Sequence, residues 1–524
     1  MKSISNALFT SLLASGLLLT GCSGGGSGSD TSGNGGSIGT GSGGTVTWVE
    51  GEFTPYTQLA AQCDAGLKEK LWLRSWSNDT YLWYSEIIDR DPAPYQVLEY
   101  FSLLKTENLS PSGNPKDQFH FSMPTSEWEQ LNQSGASVGY GMSVHLQQLT
   151  ATTDRKVTVA YTEPNTPASN ANIARGAVIV SIDGVSVKDA NDMASINTLN
   201  NGLFPSDAGQ ETRFTIQDLG ASQTRDVILT AQTVVSTPVQ NTKVVSTPTG
   251  NVGYLQFNSH IATAERGLFD AINTLATAKV DDLVLDLRYN GGGLLAMASQ
   301  LGYMIAGKEA TQNRIFERST FNDKYPTKDP VTGQTLTPMP FIDESLGFNP
   351  GLLSSGQSLP TLNLSRVFVL TTDNTCSASE ALINSLRGID VEVIQIGGTT
   401  CGKPYGFYPT PNCGTTYFTI QFKGENDKGF GDYSDGFVPS SNPTLASEVP
   451  GCDVADDFNH ALGDQNEGLL SAALYYRDSN FCPAQVASAA RSQVKPGFID
   501  TGYILEDTRK QNLLLNSRIL TQPE

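Results

Sequence analysis

The stretch from Val367 to Lys403 constrains the fold more than any other part of this chain. Val367–Thr371 is a strand-like apolar run, and Thr375-Cys376-Ser377-Ala378-Ser379-Glu380 follows it. Ala381 to Arg387 then places Ala381, Leu382, Ile383 and Leu386 at helical spacing, and Val391 to Ile396 alternates Val and Ile against Glu and Gln as a strand does. Strand, helix and strand in succession predict an α/β core. Gly402-Lys403 comes next, so a serine at a helix start and a lysine beyond the following strand sit on adjacent elements and can meet. A serine hydroxyl is a poor nucleophile until a base takes its proton. A lysine can be that base only when neutral, which burial among apolar groups favours. Pro404, Tyr405 and Phe407 supply such a setting, and no acid lies between Gly397 and Thr410. Taken singly, Ser377 also fits a helix N-cap, Ser379 fits it equally, and Lys403 fits a solvated surface lysine. Glu380 suits the closure of the helix start.

Two further blocks lie in order around this one. Leu285-Asp286-Leu287-Arg288-Tyr289-Asn290-Gly291-Gly292-Gly293-Leu294 follows an apolar strand, and Asp435-Gly436-Phe437-Val438-Pro439 comes after the lysine. With Thr375–Glu380 and Gly402-Lys403, these blocks resemble the C-terminal processing peptidases, or tail-specific proteases, over roughly residues 137–480. The resemblance implies a serine endopeptidase with Ser377 as nucleophile and Lys403 as base. It implies an oxyanion hole built from the amides of Ala378 and a glycine, Gly292 being the first choice and Gly293 the second. Asp286 and Arg288 are expected to pair structurally at the strand end. Many members of the family carry a glutamine four residues after the lysine, where this chain has Phe407. A Ser/Lys dyad, or a triad completed by Tyr405 or a residue from another segment, are the open alternatives. A catalytically inactive peptide-binding scaffold of the same fold is the competing functional class.

Residues 137–235 resemble a PDZ domain. Val138-Gly139-Tyr140-Gly141-Met142 is similar to its carboxylate-binding loop, Val157–Ala160 reads as the next strand, and Ile182-Asp183-Gly184 carries the Asp-Gly chemistry of a primed hairpin turn. Gly139, Tyr140 and Gly141 are thus candidate contacts for the C-terminal tail of a protein substrate, bound as an added strand. Upstream, residues 47–136 are predicted to be mostly helical. Leu67–Tyr84 carries Leu71, Trp72, Leu73, Trp76, Leu82 and Trp83, read as a packed core in preference to a peptide-binding face. A second helix is expected near Tyr95–Leu104. The expected class is therefore multidomain α/β: a helical N-terminal domain, a PDZ-like β domain and an α/β peptidase core over 236–480. Residues 308–360 break the core's rhythm as an insertion, read as a lid or as surface elaboration, and 481–524 form an extension.

The N-terminus adds a location. Lys2 and the apolar run Leu8–Leu19 read as a signal peptide too short to span a membrane, and Leu19-Thr20-Gly21-Cys22 resembles a lipobox. Cleavage before Cys22 and its acylation would anchor the chain in the cell envelope. By resemblance to Gram-negative lipoproteins, Ser23 after it implies the outer membrane, facing the periplasm. The Gly/Ser-rich stretch of residues 23–46 is expected to act as a flexible linker. A net charge of −20 argues against nucleic acid and against electrostatic docking on anionic lipid. Of seven cysteines, six remain after Cys22, an even count suited to disulfides. The expected pairs are Cys401–Cys413 as a hairpin staple, Cys452–Cys482, and Cys63–Cys376. No cysteine or histidine spacing suits a metal, and no cofactor is expected.

Overall fold

Four runs rich in Val, Ile and Leu become the centre of one sheet, and their nearly continuous burial reflects cover on both faces. The computed structural model describes residues 47–63, 66–110, 112–147, 155–484 and 517–519. The leader, Cys22 and the linker lie outside the described residues, as does most of the C-terminal extension. The sheet comprises β1 (Val239–Thr247), β2 (Gly250–Phe257), β3 (Asp282–Asp286), β4 (Arg366–Thr371), β5 (Glu392–Gly397), β6 (Val438–Ser440) and β7 (Glu448–Asp453). Its order is β1-β2-β3-β4-β5-β7-β6, with β1 antiparallel to β2 and the other pairs parallel.

Period-two alternation divides each strand between two cores. Leu283, Leu285, Val367, Val369 and Val393 pack with helices α1 (Ala264–Thr277), α2 (Leu295–Thr311) and α3 (Ala378–Gly388). Val284, Phe368, Leu370, Ile394 and Ile396 face the other way, onto Leu469, Leu470, Ala472 and Ala473 of α4 (Gly468–Ser479). The expected α/β core is thus a three-layer sandwich. The register pairs Asp286 with Leu370 and Thr371 with Gly397, so β3, β4 and β5 end at one level. Loops leaving the carboxyl ends of parallel strands are where such folds carry ligand chemistry.

The N-terminal segment is less helical than its sequence suggests. Helices occupy Leu67–Thr80 and Val97–Ser102, but Phe121–Pro124 is a strand antiparallel to Thr415–Phe418. Phe121 and Met123 alternate inward there, and Phe121 stacks on Phe418. Trp72 and Trp76 are buried, stacked on each other with centroids 5.3 Å apart and packed on Tyr417, so the packed-core reading holds.

The PDZ-like β domain orders its strands Met142–Gln147, Lys156–Thr162, Val178–Ile182, Glu211–Gln217 and Arg225–Thr230 side by side, with the helix Met193–Leu203. Asp183 and Gly184 both take positive φ, as a primed turn requires. Arg175 ties this domain to the core, donating to Asp456 at 2.7 Å and to the Tyr289 hydroxyl at 2.6 Å. Asp456 also accepts from Arg288, which bonds Asp286 at 2.9 Å and Glu467 at 2.7 Å while only 1% exposed. The structural pairing expected of Asp286 and Arg288 is therefore part of a larger buried network.

The insertion is neither a detached lid nor loose decoration. Ile315–Thr320 joins Met339–Pro340, Phe422–Glu425 and Tyr405–Gly406 in a four-stranded sheet. Glu265 of α1 takes the amides of Leu346 and Phe348. The insertion thus buttresses the strand that follows Lys403.

Two of the three expected disulfides are corrected. The bonds are Cys63–Cys413, Cys376–Cys401 and, as expected, Cys452–Cys482. The staple Cys401–Cys413 fails because Tyr405–Gly406 and Thr410–Asn412 belong to different sheets, so Cys401 and Cys413 do not close one hairpin. Cys376 and Cys401 meet because they follow β4 and β5, parallel neighbours in register. Cys413 turns instead toward Cys63, where Ala61 N–H also donates to Asn412 Oδ1.

Removing one member of the buried network leaves the others uncompensated. Arg288→Ala is expected to cost about 3–5 kcal/mol, read as a lowered midpoint of denaturant unfolding. Non-reducing peptide mapping of oxidised protein should return the three disulfides above and no Cys401–Cys413 peptide.

Candidate active site

Ser377 stands where β4 turns into α3, at φ +60° and ψ −110°. A non-glycine residue held there carries backbone strain on the order of 1–3 kcal/mol, the kind stored where a side chain must be presented for chemistry. A sharp strand-to-helix turn is one place where a nucleophile can be presented. Neighbouring loops clamp it: Thr375 Oγ1 donates to Leu287 O at 2.8 Å, and Cys376 N–H and Ser379 Oγ both donate to Asn290 O at 3.1 Å. Ser377 occupies the N-cap position, yet its Oγ is buried and makes no hydrogen bond among the described residues. Ser379 is spent on Asn290 and is not the cap.

Glu380, one turn on, does more than close the helix. Its buried carboxylate accepts from Ser377 N–H at 2.9 Å, Lys403 N–H and Gly402 N–H at 2.8 Å, and Thr400 Oγ1 at 2.5 Å. One oxygen thus takes the amides of both candidate catalytic residues. Burial pushes the Glu380 carboxyl above the usual carboxylate range, opposed by the hydrogen bonds from Thr400 and the three amides. The Cys376–Cys401 disulfide joins the same two loops.

Lys403 is fully buried. Desolvation holds its ammonium well below the ordinary lysine range, against the pull of the Asp117 and Glu380 carboxylates. The sequence segment around Lys403 has no acid; the fold brings these two from elsewhere. Nζ lies 4.3 Å from the Phe407 ring centroid and 4.9 Å from that of Phe119. Where the family often has a glutamine, this chain therefore confines the amine between aromatic faces. Such faces favour the cation, so the net downward shift reflects how completely water is excluded. Asp117 is itself fixed by Tyr81, whose hydroxyl donates to Oδ2 at 2.7 Å. A cavity of about 430 Å³ opens beside this lysine loop, lined by Lys116, Phe119, Gly402 and Tyr405.

Two of the oxyanion candidates keep their suitability and one loses it. Ala378 opens α3, so its N–H is among the first-turn amides that no helix carbonyl reaches. Gly292 N–H is already committed to Asn290 Oδ1 at 3.0 Å. Gly293, the second choice, thereby becomes the better candidate. It has φ +134° and a bridge to His260, and a Cβ there would lie 2.2 Å from His260 O, so only glycine fits. His260 escaped the sequence reading. It is buried, its Nδ1 lies 3.0 Å from Asn290 Oδ1, and burial draws its pKa down to about 4. Because Asn290 Oδ1 only accepts, Nδ1 carries the proton.

The PDZ-like loop is built for close backbone approach. Gly141 takes φ +75°, and a Cβ would lie 2.4 Å from Thr166. Tyr140 points inward, its hydroxyl donating to Thr212 Oγ1 at 2.8 Å, so its side chain anchors the loop. A cavity of about 120 Å³ is lined by Gly139, Gly141, Glu163 and, from the core, Gly293. Cys376, Glu380 and Cys401 offer ligand atoms within 4.8 Å of one another, but the two sulfurs are bonded to each other.

Residues 251–411 match the sequence model of peptidase family S41, a span holding the glycine block, Ser377 and Lys403. This chain carries a peptidase family S41 domain. A carboxyl-terminal-processing protease of Picosynechococcus is 26% identical over 246 residues, 46% of this chain and 49% of that protein. The chloroplastic C-terminal processing peptidase of Tetradesmus obliquus is 29% identical over 188 residues, 33% of this chain and 38% of that one. The matched stretch thus spans about half or less of these relatives. A solved structure from Bacteroides fragilis, assigned to the S41 proteases, shares the fold with a TM-score of 0.57 and 23% identity, covering 78% of this chain and 97% of its own.

The buried lysine has a thermodynamic signature. Its folded pKa lies below its unfolded one, so between the two values the unfolded chain binds more protons and stability rises with pH. The cost is present in full below the folded value and is gone above the ordinary ~10.4 of lysine. Lys403→Met should therefore raise Tm at pH 7, with the gain shrinking as pH climbs toward 10.

Proposed function

We propose that this protein is a serine endopeptidase that hydrolyses peptide bonds of exported protein substrates by a Ser/Lys pair. The observation that carries the reading is the strained, buried Ser377 whose amide shares one Glu380 oxygen with the amide of Lys403. In this reading the neutral Lys403 amine takes the Ser377 proton as Oγ attacks the scissile carbonyl. The amides of Ala378 and Gly293 hold the resulting oxyanion, and Lys403 returns the proton to the leaving amine. Asp117 and Glu380 limit how far burial lowers the lysine, and Phe407 and Phe119 set its position in place of a hydrogen-bonding glutamine.

The PDZ-like loop of Gly139, Tyr140 and Gly141 would receive a substrate's C-terminal tail through its backbone. Acylated Cys22 would anchor the chain in the cell envelope, facing the periplasm. Among the described residues no helix is long and apolar enough to cross a membrane.

The experiment is direct. A fluorophosphonate should label the wild-type protein at Ser377 and leave Ser377→Ala unlabelled, and hydrolysis of an unstructured peptide should fall to background in Ser377→Ala and Lys403→Ala. Lys403→Arg should not rescue, because a guanidinium stays protonated. Labelling without turnover would favour the peptide-binding scaffold, for which the aromatic at position 407 is the motivating feature.

A further inference from the structure

Ser517–Ile519, far along the chain from the core, forms a parallel two-stranded ribbon with Gly292–Leu294. Ser517 pairs with Gly292, Arg518 with Gly293 and Ile519 with Leu294. The same three residues lie against Tyr405–Gly406, just past Lys403, and against the helix that Ser377 opens. On its other flank the glycine strand is bridged by His260, so Ser517–Ile519 takes the one remaining edge.

In the peptidase reading, a peptide that presents a carbonyl to both Ser377 and the glycine amide would run through this same space. We propose that the edge Gly292–Leu294 is the strand-addition site for extended substrate peptide, taken parallel to that strand, and that Ser517–Ile519 is its intramolecular occupant. The proposal rests on the peptidase reading of the site. Recognition is through the backbone: the ladder bonds demand an extended main chain and little sequence. That suits both a substrate of varied sequence and a covalently tethered competitor. The occupant belongs to the same chain as the site, so it competes intramolecularly, at an effective concentration on the order of 1 mM. If the free segment binds with a Kd of about 0.1 mM, the tether raises the apparent KM for an outside substrate about tenfold.

The test compares the full chain with one ending at Asn516. A fluorescent synthetic peptide of residues 514–522 is titrated into Ser377→Ala versions of both, so nothing is cleaved. The shortened protein should bind about tenfold more tightly, and the amide of Gly293, the one on that edge, should lose hydrogen-exchange protection on shortening and regain it with the peptide. In the wild-type background, KM for an unstructured peptide should fall by a similar factor at unchanged kcat. Equal affinity of the two proteins for the peptide, or unchanged protection at the Gly293 amide, overturns the proposal. Tighter binding by the shortened chain with no turnover in either would sustain the strand site and refute the peptidase reading instead.

Discussion

The buried carboxylate of Glu380 is the point on which the site depends. Two loops meet at it and bring three backbone N–H groups that would be orphaned without it: Ser377 from the end of β4, and Gly402 and Lys403 from beyond β5. A buried amide with no acceptor costs on the order of 1–3 kcal/mol, so the arrangement is strongly favoured over any in which the loops part. The same acceptor resists the strain at Ser377, because relaxing that φ would pull its amide away. The Cys376–Cys401 disulfide repeats the constraint covalently. A carboxylate in so dry a place survives because four donors solvate it in water's stead.

Around this point the fold divides its labour by depth. The central sheet is packed on both faces, and its strand ends deliver three loops to one level. The glycine strand is held from the far side by His260 and Asn290, which leaves one edge, the one Ser517–Ile519 takes, and the Gly293 amide on it. The N-terminal segment and the insertion, which looked peripheral, supply the walls of the lysine's pocket. Phe119 and Asp117 come from the first, and the sheet behind Tyr405–Gly406 comes from the second. Arg175 carries the PDZ-like domain onto Asp456, which Arg288 of the glycine block also holds, so the two domains share one charged joint.

Much of this was legible in the amino-acid order alone. The alternation of strand and helix around Ser377, the glycine block, the primed turn at Asp183-Gly184 and the pairing of Asp286 with Arg288 are local signals. They are written in period, turn chemistry and adjacency, which act over a few residues. The candidate nucleophile and base were legible for the same reason, since one βαβ unit spans both. Cys452–Cys482 was expected and formed, but the other two disulfides were not legible. Cys63 and Cys413 are 350 residues apart, and no local rule relates them.

What only tertiary structure decided concerns groups that meet across the chain. Sequence placed Lys403 among apolar neighbours with no acid nearby; folding brought Asp117 and Glu380 to it and so determined how far burial could lower its basicity. Sequence offered two glycines for one amide; the Asn290 side chain, by taking Gly292, left Gly293. Sequence showed an extension of no evident use; packing laid Ser517–Ile519 along the glycine edge. The physical reason is common to all three. Period, turn and capping preferences are properties of a residue and its near neighbours, whereas desolvation, the sharing of one acceptor and the filling of a sheet edge are set by whatever else occupies the same few ångströms.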